Sequence, residues 1–354
     1  MSTDAHFLAA VAAAPLDSLP KLVYADWLDE RGDERAELIR LEEETRERVA
    51  WDETLWKLKP RRNELRKQVP ADWLQAMDYG RHCEPLFRGQ PFPTDVRDAW
   101  RLIREAHERW TGEPMPDVGG HADKIADAEK RLGMTLPPSV REYVAFAHDL
   151  NINRGGRVGA FFRDAYTLEA VPGQPALSLV MQAEGDIHWA VQHSDLLRPD
   201  PPIYTYTLDY EGDEPPFAFV LAPTAPSETV AEFVLLSMWA YTHGHGTFNT
   251  SVEGPAALRR QLAKWARYHT PVARSELFGW NEHGATVELF ESSDWSVMLS
   301  TTSGGEESRV TVKAWRPPPP GFTLPTFLER LLRTGGSYSG MFTRPEYTGV
   351  DEAE

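Results

Sequence analysis

Residues Asp123 to Asn151, DKIADAEKRLGMTLPPSVREYVAFAHDLN, constrain the fold of this chain more than any other stretch. Ile125, Ala128 and Leu132 recur at helical spacing and make one apolar stripe. Gly133 follows, where a residue free to adopt positive φ ends a helix. Leu136, Pro137 and Pro138 then turn the chain and start a second helix, whose apolar face carries Tyr143 and Phe146 or Ala147.

The chain has 354 residues, enough for two or three domains with a sizeable core. Its single cysteine, Cys83, rules out an internal disulfide and points to a reducing, cytoplasmic compartment. No apolar run approaches the roughly 20 residues of a membrane span. The Ala-rich start, MSTDAHFLAAVAAAP, lacks a basic flank and carries Asp4, so it reads as a short helix ended by Pro15. A net charge of −17 opposes nucleic acid and anionic membranes as partners. The basic run Lys57, Lys59, Arg61, Arg62, Arg66 and Lys67 is local and follows a Glu-rich helix, so it does not change that reading. The charge is uneven. Between Asp164 and Leu258 the one basic side chain is Arg198, against many acids. This segment is either a solvated acidic surface or an electrostatic landing face for a basic partner.

Three regions follow. Residues 1–84 read as helical. Asp17 or Ser18 caps a helix in which Leu19, Leu22, Val23 and Trp27 share a face with Asp26 at its margin. Gly32 ends it, and Asp33 caps the helix ERAELIRLEEETRERV. A further helix covers Trp51 to Val69. The stretch EPLFRGQPFPTD reads as a Pro/Gly-rich linker. Thr94 is the N-cap candidate for the next helix, whose stripe holds Val96, Trp100, Ile103 and His107. The second region, 94–250, continues with strands around Ile187–Val191, Ile203–Tyr210 and Phe217–Leu221. A helix capped by Ser227 closes it, with Val230, Phe233, Val234, Ser237, Met238 and Tyr241 on one face. In the third region, 254–345, a helix at PAALRRQLAKWARYH precedes strands ATVELF, DWSVMLST and SRVTVKAW, the last two joined through Gly304-Gly305. A final helix follows Thr323. This region either completes the second domain or forms its own α+β lobe.

Two resemblances attach to these residues. The motif LVYADWLDERGD resembles the small helical "repeat-companion" domain of some bacterial proteins, which carries no established activity. Ile125, Ala128, Glu129, Leu132, Gly133, Leu136, Pro137 and Pro138 match the opening of SUKH-superfamily domains, the group of bacterial toxin-immunity proteins and a yeast cell-wall assembly regulator. Trp189 and the Asp-Pro-Pro stretch at 200–202 fit the later part of that family. The family usually carries Asn-Gly after the second helix; this chain reads NINRGG, with Gly155-Gly156 as the substitute turn. The resemblance implies an α+β fold: a small helical domain, then a sheet, mostly antiparallel or mixed, flanked by helices, then an α+β extension.

Candidate chemistry is sparse. Asp26, Asp29, Glu30 and Asp33 read better as a cap and as partners of Arg31 and Arg35 than as metal ligands. His188, His193, Asp195, His243 and His245 are a possible zinc set, with His243 and His245 the alternative metal ligands, but none of the helical metal motifs is present and His188 alternates away from the Trp189 face. Cys83 beside His82 lacks nucleophile geometry.

The reading is therefore a non-catalytic protein-binding module without cofactor, of the immunity type, that neutralises a basic, nuclease-like toxin. Asp186, Asp195, Asp200, Tyr204, Tyr206, Asp209, Glu211, Asp213 and Glu214 are its expected contact residues. The tyrosines are potential anchors, though Tyr204, Tyr206 and Leu208 on one strand face also suit a core. The alternatives are a scaffold without a toxin and a histidine-based metal hydrolase.

Overall fold

In the computed structural model the chain is α+β, with ten helices and strands that all pair antiparallel among the described residues. The structure describes residues 3–340 apart from 15–16, 47, 78, 80–84, 112–113, 116–117, 155–159, 163–166, 183–184, 210–217, 222–227, 242–245, 254, 267, 276–284, 292–294, 303–306 and 315–336.

Five helices come first: α1 (Asp4–Ala13), α2 (Ser18–Asp29), α3 (Arg35–Thr45), α4 (Glu53–Gln68) and α5 (Ala71–Ala76). Asp17 caps α2 by accepting from the Leu19 amide at 2.9 Å. Gly32, at φ +67°, supplies the left-handed turn that follows. Tyr24, Leu28, Leu38, Ile39, Leu65, Trp73 and Met77 fill the core of this unit.

The apolar spacing of α2 leaves open which face turns inward, and the fold decides it. Leu19, Leu22 and Val23 face solvent, while Lys21, Tyr24, Ala25 and Leu28 are buried. Two polar networks explain the choice. Lys21 pairs with Glu43 on α3 at 3.3 Å and lies 4.9 Å from the centre of the Tyr79 ring. The Tyr24 hydroxyl donates to Asp4 and accepts from Trp73 Nε1 at 3.2 Å. Burial, with the Asp4 bond, pushes the Tyr24 hydroxyl up to about 12.

The four acids of the motif are engaged with cations. Asp33 binds Arg35 through Nε and Nη2 and also accepts the Arg35 amide, as a cap does. Asp26 and Asp29 share Arg40, each at 3.0 Å, a partner supplied by α3 and not foreseen. Glu30 lies 3.6 Å from Arg31.

The stretch after this unit is docked, not loose. Leu86 and Phe87 are fully buried in the main core. Arg88 and Gly89 both take positive φ, and the amides of Leu86, Phe87 and Arg88 all donate to the carboxylate of Glu291, far along the chain. Consecutive amides pointing at one anion make a backbone nest. The Ala50 amide donates to Leu86 O at 3.2 Å, which ties the helical unit to the same turn.

The second region begins with α6 (Val96–Thr111). Asp95, and not Thr94, caps it, accepting from the Arg97 and Asp98 amides. Trp100, Ile103 and His107 of its stripe are buried, His107 edge-on to Phe146. α7 (Ala122–Leu132), α8 (Pro138–Arg154) and α9 (Val230–Tyr241) complete the helical layer. The first sheet holds β1 (Ala160–Phe162), β2 (Glu169–Ala170), β3 (Ala176–Gln182), β4 (Ile187–Gln192), β5 (Tyr204–Asp209) and β6 (Ala218–Leu221). Its order is β1-β3-β4-β5-β6, with β2 also on β3. A register shift between Ser178 and Val180 lets Leu177, Leu179 and Val180 all enter the core shared with α6 and α8. The Tyr143 hydroxyl donates to the Leu179 carbonyl at that irregularity.

The second sheet contains β7 (Gly246–Glu253), β8 (Tyr268–Ser275), β9 (Ala285–Glu291), β10 (Trp295–Thr302), β11 (Glu307–Ala314) and β12 (Ser337–Gly340), in the order β12-β7-β11-β10-β9-β8. α10 (Pro255–Trp265) lies between β7 and β8 in sequence. β9, β10 and β11 are the three strands read from sequence. β7 pairs with β11 and β12, so residues 246–250, inside the bounds read for the second region, belong with the third. Val287, Leu289 and Met298 enter the same core as Trp100, Tyr143 and Phe233, so the third region packs into the second. The helix expected after Thr323 lies outside the described residues.

Candidate interaction surface

The Leu-Pro-Pro turn is built as its residues suggest. Ile125 and Ala128 are buried and Leu132 packs against the same core. Gly133 takes φ +68° at the end of α7. Leu136 and Pro137 are buried, and Pro138 opens α8. Glu129 is the clamp: its Oε1 accepts the Leu136 amide at 2.8 Å and both Nε and Nη2 of Arg141. α8 continues through Arg154, past the expected Asn-Gly position, and Gly155 and Gly156 lie outside the described residues.

The expected contact residues separate into two groups. The first is structural, which corrects their assignment to a partner-facing surface. Asp200 accepts the Ala231 amide at 3.1 Å in the first turn of α9, and it is also bonded by Ser139 and Thr229. The Ser139 amide in turn donates to Pro199 O at 3.0 Å, and Trp100 Nε1 donates to Ser139 Oγ. The Asp-Pro-Pro stretch thus braces the starts of α8 and α9. Thr229 and Glu232 form a capping box: Glu232 accepts the Thr229 amide at 2.9 Å and Thr229 Oγ1 accepts the Glu232 amide at 3.4 Å. Burial pushes the Asp200 and Glu232 carboxyls up, because charge in a low-dielectric site is costly. The cap is Thr229; Ser227, expected in that place, lies outside the described residues. The T-x-x-E spacing was the available signal.

Asp195 is 7% exposed, receives the Tyr204 hydroxyl at 2.9 Å and pairs with Arg198, the lone cation of the acidic segment. Tyr206, at 2% exposure, sits in a small cluster with Val171, Ala176, Ala190 and Phe219, against which Tyr204 and Leu208 pack. The tyrosine face of β5 is therefore core on the sheet's second side. His188 belongs to that side too, bonded to Ser178 Oγ at 2.8 Å and edge-on to Phe219, opposite the Trp189 face as alternation requires.

In the second group, Asp186 and Asp209 stand at one end of the sheet. The Leu208 amide donates to Asp186 O at 2.8 Å, so Asp186 stands beside the end of β5, where Asp209 pairs with Ala218 of β6. Glu211, Asp213 and Glu214 lie outside the described residues, within the connection between those two strands. Asp186 and Asp209 are half-buried. β6 is an edge, paired among the described residues with β5 alone, and it exposes Val220 and Leu221.

A groove of about 530 Å³ lies between α6 and the Leu-Pro turn, lined by Trp100, Leu136, Arg97, Arg101, Arg104 and Arg141. Asp98, Glu142 and Glu129 pair with the last three arginines and offset most of its charge. His243 and His245, like His82 and Cys83, lie outside the described residues. Among the described residues no three His, Cys, Asp or Glu side chains gather as a metal site, and no helix is long and apolar enough to cross a membrane.

The chain matches no protein-family model, no curated protein and no solved structure.

Proposed function

We propose that the chain is a non-catalytic protein-binding module of the immunity type, which holds a basic, nuclease-like protein at the acidic end of the first sheet. The observation that carries this reading is that Asp186 and Asp209 stand at the same end of β5, beside β6, which among the described residues pairs with β5 alone; in sequence the acids Glu211, Asp213 and Glu214 follow directly. An edge strand offers unpaired amides and carbonyls for an added strand, with Val220 and Leu221 as apolar contacts. Clustered acids next to it steer a cation-rich partner and reject acidic ones. The polar side chains deeper in the sheet are spent on helix starts and internal pairs, which leaves this end as the surface that matches the sequence-level charge.

The test is affinity capture from native lysate at low and high salt. The reading expects a basic protein that elutes as ionic strength rises. Partners that are neutral or acidic and indifferent to salt contradict it.

A further inference from the structure

The first half of α2 carries a second, separate surface. Leu19, Leu22 and Val23 are 66%, 39% and 49% exposed, and their i, i+3, i+4 spacing makes them one stripe. The helix cannot roll to bury them. Its opposite face holds Tyr24 and Leu28 in the core and Lys21 against Glu43, so rotation would expose the first two and break the third. Scattered surface aliphatics are ordinary, but a contiguous stripe on a helix locked in this orientation marks a contact site.

The chemistry of the occupant follows from the rest of the same helix. Asp26, Asp29 and Glu30 continue the exposed face beyond Val23, and Asp17 precedes it. Arg40 bridges Asp26 and Asp29, and Arg31 stacks on the Trp27 ring at 3.9 Å and lies 3.6 Å from Glu30, which leaves one acid in excess at this end and Asp17 at the other. We propose that this face docks a basic amphipathic helix from a partner protein, with aliphatic side chains over Leu19, Leu22 and Val23 and lysine or arginine over the Asp26–Glu30 end. A second copy of the chain fits poorly: parallel α2 helices bring acids against acids, and antiparallel ones bring acids against the aliphatic stripe. The surface belongs to the helical unit and shares no residue with the acidic end of the first sheet, so it stands or falls independently of that reading.

The probe is a labelled synthetic helix with leucines at i, i+3, i+4 and i+7 and lysines in the next turn, titrated by anisotropy into the full chain. Its controls are a scrambled peptide of the same composition and the variants Leu22→Ser with Val23→Ser, Asp26→Asn with Asp29→Asn, and Asp186→Asn with Asp209→Asn. The proposal expects binding of the patterned helix alone. It expects at least a tenfold loss in the Leu22/Val23 variant and a smaller, salt-dependent loss in the Asp26/Asp29 variant. The Asp186/Asp209 variant binds unchanged, and the thermal midpoint of the Leu22/Val23 variant stays at that of the parent chain. Equal binding of the scrambled peptide, no binding of the patterned one, or unchanged affinity in the Leu22/Val23 variant overturns it. So does self-association of the parent chain that these substitutions abolish.

Discussion

Lys21 and Glu43 form an ion pair, Nζ to Oε1 at 3.3 Å, with 1% and 5% of their side chains exposed. Ser18, Tyr79 and Arg46 also serve this carboxylate. Burial opposes its ionisation, but these donors together hold it below the usual Glu range. Breaking a buried pair from one side leaves an uncompensated charge. Lys21→Ala should therefore cost about 3 kcal/mol in urea denaturation, the low end of such losses because Arg46 remains. Lys21→Met with Glu43→Leu should recover most of it. On the other side of the same helix, Leu22→Ser should stay within about 0.5 kcal/mol. The opposite ranking would show α2 facing the other way.

Glu291 carries the joint between the docked turn and the second sheet. Its removal orphans three buried amides, of Leu86, Phe87 and Arg88. An unsatisfied buried donor costs about 1–3 kcal/mol. Glu291→Ala should thus lower stability by about 3 kcal/mol or more. Glu291→Gln should also be destabilising, because its NH2 replaces one acceptor facing those donors. Denaturant midpoints check both.

Asp200 and Glu232 predict a pH dependence. Their folded-state pKa values lie above the ordinary carboxylate values of about 4. In that case the folded state holds more protons than the unfolded one as pH rises from about 4 through the raised values, so their contribution to stability falls with rising pH. Asp200→Asn keeps an acceptor for the Ala231 amide and does not ionise. Its thermal midpoint relative to the parent chain should improve between pH 4 and pH 7. A difference that is flat or worsens with pH contradicts the burial of an ionisable carboxyl there.

The sequence made the local features legible and the long-range ones not. Ile125, Ala128, Gly133 and Leu136 announced the α7–α8 turn because spacing, a positive-φ residue and prolines act within a few positions. Alternation revealed β9, β10 and β11. β7 and β8 escaped because GTFNTSVE and YHTPVARS are polar, and the latter contains Pro271. Periodicity said that Leu19, Leu22 and Val23 share a face but not which way it turns. That was decided by Glu43, on another helix, and by Tyr79. Likewise nothing local to Pro85–Gly89 foretold a carboxylate 205 positions from Leu86. Among the acids, composition alone placed Asp195 and Asp200 on a surface. A helix start and an arginine drew them inward.

The central claim concerns the acidic end of the first sheet. Its most direct test is the association rate between the captured basic protein and two forms of the full chain, measured across ionic strength. One form is native; the other carries Asp186→Asn, Asp209→Asn, Glu211→Gln, Asp213→Asn and Glu214→Gln. The account predicts a native rate that falls steeply with salt, and a neutralised form at least about tenfold slower at low salt, with a shallow slope. Equal rates and equal slopes for the two forms would contradict it.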